Sequence, residues 1–442
     1  MALFIPLIIL ITTLLCSQVG FTKEELSIPK VSPPKVKEDM LPNGIKLFFL
    51  EDKSLPIVNL TTYIKVGSIY DNPKKRGVAF ITGMNLISGG NESFDPEAIS
   101  RELKNLGAEY QTSIGNEYGD ASISILSKNA FVGLKIFFDA LLNPRFDEKE
   151  FKLSKSLTIE QIKRDEELPK SIVSKNFIIE TYGKDSPWAN FPTVREIRKI
   201  KRKDVVAFHK NYIGPSNMII AISGDIKRDE IIKLLNDYPK VELQSLPTIE
   251  KVKPEFQKRS KYIKKDVTNT FFQLGHLGVD RHNPDKYALE VLNYILGGGG
   301  FESRLLSDIR SERGLVYSVY SYFTYYKDLG YFSVVGETGK KNEEEVLTLV
   351  KKHLEDLIEG KISKDDVLRA KRALLFNQLY WVENSFSAVD LMARLDLLEF
   401  PKDYWKTYQK NVLSITLKDV KDVAKEYLRP DNLITVTAGP EK

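Results

Sequence analysis

The chain is poor in the residues that ordinarily bind transition metals: its 442 residues include one cysteine, Cys16, and four histidines, His209, His276, His282 and His353. A single thiol can form neither an internal disulfide nor a thiolate zinc site, and a chain that loses Cys16 with a leader suits an oxidising exterior. A helix-borne zinc site needs two ligands four residues apart on one helical face. No pair of histidines has that spacing and none begins an H-x-x-E-H, so each reads as a packing or surface residue. A charge excess of either sign is also missing. The 65 basic and 60 acidic residues leave a formal charge of +5, spread in short runs such as Lys74-Lys75-Arg76 and Lys201-Arg202-Lys203, which argues against the basic face of a nucleic-acid protein. No G-x-S-x-G is present. The one glycine run, Gly297 to Gly300, trails a helix and has no Lys-Ser or Lys-Thr behind it, so it terminates that helix rather than cradling a phosphate.

What is present begins with an apolar run of about 14 residues in MALFIPLIILITTLLCSQVGF, the length of an export signal rather than a membrane span. Residues 1–22 are assigned to that signal. No Lys or Arg precedes the run, which leaves an uncleaved membrane anchor as the alternative. Cys16 stands where a lipoprotein would be acylated, yet Thr13-Leu14-Leu15 is a poor lipobox; lipidation and removal with the signal are both open. Residues 23–37, rich in Pro, Lys and Glu, read as an extended spacer. The expected location is therefore the periplasm or envelope of a bacterium.

The rest of the chain repeats itself. Lys203-Asp204-Val205 through Tyr212, Pro215, Asn217 and Ile219 returns as Lys418-Asp419-Val420 through Tyr427, Pro430, Asn432 and Ile434, at a constant offset of 215 (418 − 203, 434 − 219). Each copy reads as a helix, a Pro turn and an apolar strand. Alternating segments such as 57–67 and 120–127 read as antiparallel strands, and periodic ones such as 97–107 and 343–360 as amphipathic helices. The expected fold is α+β: two similar domains of antiparallel sheet plus helices, 38–238 and 256–442, facing each other like a clamshell across a Pro-rich linker at 239–255.

One stretch carries chemistry. In LLSDIRSERGLVYSVYSYF, residues 305–323, Leu305, Leu306 and Ile309 fall at helical spacing, Gly314 stops the helix, and Val316 and Val319 begin a strand. Arg310 then sits at a helix end and Tyr317 on the adjoining strand. A guanidinium and a phenol converging on one point can hold a peptide carbonyl and the negative charge that develops on it under attack. Each also has an ordinary use, Arg310 as a helix C-cap and Tyr317 on a half-buried strand face.

The duplication and IRSERGLVYSVYSYF together resemble the pitrilysin/insulinase superfamily of zinc peptidases, in its processing-peptidase branch. LPNGIKLFFLED (41–52), YGKDSPWA (182–189) and NMIIAISGD (217–225) agree, and the resemblance spans roughly residues 38–440. It implies that Arg310 and Tyr317 are the family's substrate-holding pair. It also implies a loss. Where active members carry G-x-A-H-x-x-E-H, this chain reads Gly77-Val78-Ala79-Phe80-Ile81-Thr82-Gly83-Met84, and the third-ligand position falls on Gln161, beside Glu160. Phe80 and Met84 cannot bind zinc usefully and Gly83 cannot activate water. Apolar residues at helical spacing are expected to fill the pocket by packing.

The reading that follows is a non-catalytic, substrate-binding subunit of a heterodimeric zinc metallopeptidase acting on peptides or unfolded polypeptides. No cofactor is expected in this chain; the zinc is expected in a homologous partner subunit. A catalytically inactive scaffold or assembly protein, a stand-alone envelope peptide-binding protein, and an active peptidase with unrecognised ligands are the alternatives.

Overall fold

The computed structural model describes residues 33–253 and 255–441. The expected signal, Cys16 and most of the spacer lie outside them. Among the described residues no helix is long and apolar enough to cross a membrane.

Among the described residues eleven strands form two sheets. The first contains β1 (Lys37–Met40), β2 (Lys46–Glu51), β3 (Ile57–Ile64), β4 (Glu109–Ile114), β5 (Gly119–Leu126) and β6 (Met218–Gly224), in the order β1-β2-β6-β3-β5-β4. The second contains β7 (Arg259–Lys264), β8 (Asn269–Leu277), β9 (Val316–Thr324), β10 (Tyr331–Gly339) and β11 (Ile434–Gly439), in the order β7-β11-β8-β10-β9. Apart from the extra edge strand β1, the two orders superimpose strand for strand. The sheets are not purely antiparallel, however. In each, the last strand pairs parallel with the first shared one, β6 with β2 and β11 with β7. Each last strand arrives after a long excursion through helices, and such a crossover allows parallel pairing where a hairpin would not. The 215-residue echo lies in this returning unit: helix Arg202–Tyr212 precedes β6, and helix Leu417–Tyr427 precedes β11.

Strand alternation divides every central strand between two cores. On β2, Leu47 and Phe49 face the helices of their own half while Phe48 faces the other way; on β6, Met218, Ile220 and Ile222 oppose Ile219 and Ala221. The second face of the first sheet is covered by helix Ser385–Leu397, through Val389 and Ala393. Reciprocally, helix Pro169–Tyr182 covers the second sheet, placing Ile172, Val173, Phe177 and Ile178 against Ile434, Val436 and Ala438. The same offset, 397 − 182 = 215, relates the ends of these two helices. Each large apolar side chain withdrawn from water contributes about 1.5–3 kcal/mol. Polar contacts fix the register. The Tyr63 hydroxyl donates to Asp390 (2.5 Å), Lys46 pairs with Asp396, the Tyr182 hydroxyl donates to the Leu329 carbonyl (2.7 Å), and Lys261 meets Glu180 (2.9 Å).

Two of the four histidines lie within this framework. His276 on β8 is buried against the Phe332 ring, 5.2 Å between centroids, with Nδ1 2.7 Å from the Leu277 carbonyl. Burial pushes its pKa down to about 4 from 6.5, and burial also lowers that of His209. A histidine held neutral in the fold binds fewer protons than the unfolded chain, so its contribution is complete above about pH 6.5 and is lost as the pH falls toward 4. Urea unfolding at stepped pH should show stability declining through that window. His276→Leu should flatten the decline without removing it, because His209 acts in the same direction.

Candidate functional site

Arg310 lies in a wide helical turn of π geometry, Leu306–Glu312, anchored by Ile309 in the second-half core. Gly314, at φ +65°, then turns the chain into β9. A positive φ strains any residue with a Cβ, which is why glycine stands there. The pairing of β9 with β10 slips at this point: Glu337 opposes Ser318 and Thr338 opposes Val316, leaving Tyr317 as the extra residue of a bulge. A bulge re-aims a side chain. Tyr317 is 76 % exposed, and the Arg310 guanidinium carbon lies 5.6 Å from its ring centroid. The expected pair is thus brought together. A third member, Phe301, went unrecognised in the sequence; its ring is 5.1 Å from the same guanidinium and it is 69 % exposed. Its position directly behind Gly297–Gly300 was the available signal, since glycines let a backbone present an aromatic without packing it. Among the described residues the Arg310 guanidinium makes no hydrogen bond or ion pair. It is therefore not spent on capping its own helix, and its donors are available to a ligand.

The positions that the resemblance assigns to zinc ligands lie in the first half. Helix Val78–Asn85 starts at Gly77, where Asp71 accepts from the Gly77 and Ala79 amides (2.7 and 2.9 Å) and from Asn190. Burial raises the Asp71 pKa to about 6, against the lowering effect of those donors. The helix packs on β4 and on helix Glu148–Glu167. Simple apolar filling is only half right. Ile81 is fully buried, but Phe80 is 42 % exposed and projects from the helix. Met84 is half-buried, its sulfur 3.5 Å from the Thr158 hydroxyl. Gln161 is exposed and its amide donates to Asp165 on its own helix (3.0 Å), while neighbouring Glu160 is exposed too. Across to Met84 the contact comes from Thr158, not Gln161. Gly83 faces β4: its carbonyl accepts from the Thr112 hydroxyl (2.7 Å), and a Cβ built on it would lie 2.7 Å from the Ile114 amide nitrogen. Among the described residues no three His, Cys, Asp or Glu side chains converge to hold a metal, and these side chains do not fit zinc.

Residues 47–187 match the family described as Insulinase (Peptidase family M16), and residues 199–374 match the Peptidase M16 inactive domain. The chain belongs to the M16 family. It is similar to an uncharacterized zinc protease, YmxG, of Bacillus subtilis, 24 % identical over 400 residues that cover 90 % of this chain and 96 % of the relative. Among solved structures it is similar to a peptidase M16 inactive domain from Pseudomonas fluorescens (27 % identity, TM-score 0.84, covering 92 % and 98 % of the two chains). A Helicobacter pylori protease shares the fold (21 % identity, TM-score 0.81, 92 % and 100 % covered). This M16 chain is a peptidase homologue without the zinc motif.

The close approach at Gly83 makes that loss hard to reverse. A side chain there must push helix Val78–Asn85 off the β4 backbone, and over-packing of this kind costs about 1–3 kcal/mol. Gly83→Ala should therefore lower the unfolding free energy by that amount in urea titration, whereas Gln161→Glu, at an exposed position, should leave it within about 0.5 kcal/mol.

Proposed function

We propose that this chain is the non-catalytic, substrate-binding subunit of a heterodimeric zinc metallopeptidase, exported to the periplasm or envelope and paired with a homologous subunit that carries the metal. The observation behind this reading is the unpartnered Arg310 guanidinium, held between the exposed rings of Tyr317 and Phe301, in a chain whose metal-ligand positions hold Phe80, Met84 and Gln161. The metal and the attacking water belong to the partner; this chain binds and orients. An extended peptide or unfolded segment would join an edge strand through main-chain hydrogen bonds, and β9 is such an edge, with Tyr317 at its entrance. Arg310 would donate to the substrate carbonyl. Tyr317 would add a second hydrogen bond that strengthens as the oxygen gains negative charge.

A preorganised donor aimed at a developing oxyanion is worth about 10²- to 10³-fold in rate. In a reconstituted pair, Arg310→Ala should reduce peptide turnover by that factor and Tyr317→Phe should also slow it. Neither should alter co-elution of the subunits on gel filtration. Unchanged turnover in Arg310→Ala would refute the assignment and favour a scaffold. Chelator-sensitive peptide hydrolysis by the isolated chain would refute the division of labour.

A further inference from the structure

Next to Tyr317 the two halves enclose a slot of about 140 Å³. Val173 and Ser174 of helix Pro169–Tyr182 form one wall; Phe271 and Gln273 on β8 and Tyr320 and Tyr322 on β9 form the others. Tyr320 and Tyr322 stack with centroids 6.0 Å apart. On the floor the Gln273 amide nitrogen is already engaged, donating to the Ser333 hydroxyl (2.9 Å) and to the Tyr322 hydroxyl (3.3 Å). Lys170 and Glu337 also line the slot, and the Glu337 carboxylate already accepts from the Asn269 amide (2.7 Å), so the surface offers mainly aromatic faces and aliphatic contact with one lysine beside them. Its volume is close to the roughly 150 Å³ of an apolar cavity that accommodates benzene, so it suits one aromatic side chain.

Its position matters as much as its size. Ser318, which also lines the slot, directly follows Tyr317, and Tyr320 lies three residues along the same strand, about 10 Å at the usual strand rise. We propose that this slot is a side-chain subsite that selects an aromatic residue about two or three positions away from the carbonyl gripped by Arg310. The inference rests on the substrate-binding reading above and gives it a specificity. The slot exists only while helix Pro169–Tyr182 of the first half stays clasped to the second sheet, so selection and clasp are linked.

The test uses the purified chain alone and fluorescence anisotropy with labelled host peptides that carry a single Phe or Ala at successive positions. At one position the Phe peptide should bind about tenfold more tightly than its Ala counterpart. Ser174→Trp, which fills the mouth from an exposed site, and Tyr320→Ala, which removes a wall, should each bring that ratio near one while the Ala peptide binds as before. Circular dichroism should show both variants folded. Arg310→Ala should weaken both peptides equally and preserve the ratio. If Arg310→Ala weakens binding but both slot variants keep the preference for Phe, the slot is overturned and the clamp stands. If the ratio collapses in the slot variants while Arg310→Ala is silent, the clamp is overturned and the slot stands. Binding of neither peptide overturns both.

Discussion

Every sheet has two faces, and in this chain neither half can cover both of its own. Each therefore borrows a helix. Phe48, Tyr63, Ile219 and Ala221 are sealed by Val389 and Ala393 from the second half, and Val436 and Ala438 by Phe177 and Val173 from the first. Alanines at the contact, Ala221 and Ala393, let backbone approach backbone. The exchange is reciprocal, so neither sheet loses its cover without the other half moving. That is a stronger tie than the surface ion pairs around it, which individually contribute only about 0–1 kcal/mol. It also explains the compactness of the whole span from Pro33 onward.

The clasp decides where chemistry can sit. Central strands such as β6, with all seven residues buried, have no free face. What remains is the edge, and β9 is the edge strand that leaves the core with a bulge at Tyr317 and enters it from a glycine turn at Gly314. Arg310 is held on the core side by Ile309 yet keeps its guanidinium outside. On the first half the corresponding freedom has gone fully at Gly83 and partly at Met84. Phe80 and Gln161 are partly or wholly exposed, and changing them costs the fold little; Gly83 is pressed onto β4. The missing general base is thus tied to packing, Met84 is partly so through Thr158, and the positions of Phe80 and Gln161 are not.

Much of this was legible in the residues. The 215-residue offset marks the returning helix-strand unit because identical local chemistry, a helix start at Asp204 and Asp419 and a Pro turn before an apolar strand, must recur to rebuild the same crossover. Alternation identified β3 and β5, and the spacing of Arg310 and Tyr317 across Gly314 gave their junction. The rest depends on contacts far apart in sequence. Nothing in β2 or β7 states that they pair parallel with strands more than 150 residues later, since a parallel register is set by the crossover and not by the strand. Phe80 reads as core by periodicity, and only the placement of the neighbouring helices leaves it projecting. The helix exchange is equally silent: nothing in the residues of helix Pro169–Tyr182 says which sheet it covers.

The asymmetry between the two sites limits which roles fit. An exposed phenylalanine and an exposed tyrosine flanking an unpaired guanidinium are unfavourable in water, since both rings leave apolar surface uncovered. A scaffold has no need of that arrangement, and a cation–π contact at an exposed site returns only about 0.5–1 kcal/mol. Occupation by a polypeptide would cover the rings and use the free donors at once. Metal and water cannot come from the first half of the same chain, where Gly83 is seated on a strand and no three metal-binding side chains converge among the described residues. Under the proposed division of labour, retention of the Arg310–Tyr317 pair beside loss of the metal positions is coherent because the two tasks belong to different chains, and the proposed slot beside Tyr317 would give this chain a share of its own: deciding which polypeptide is presented.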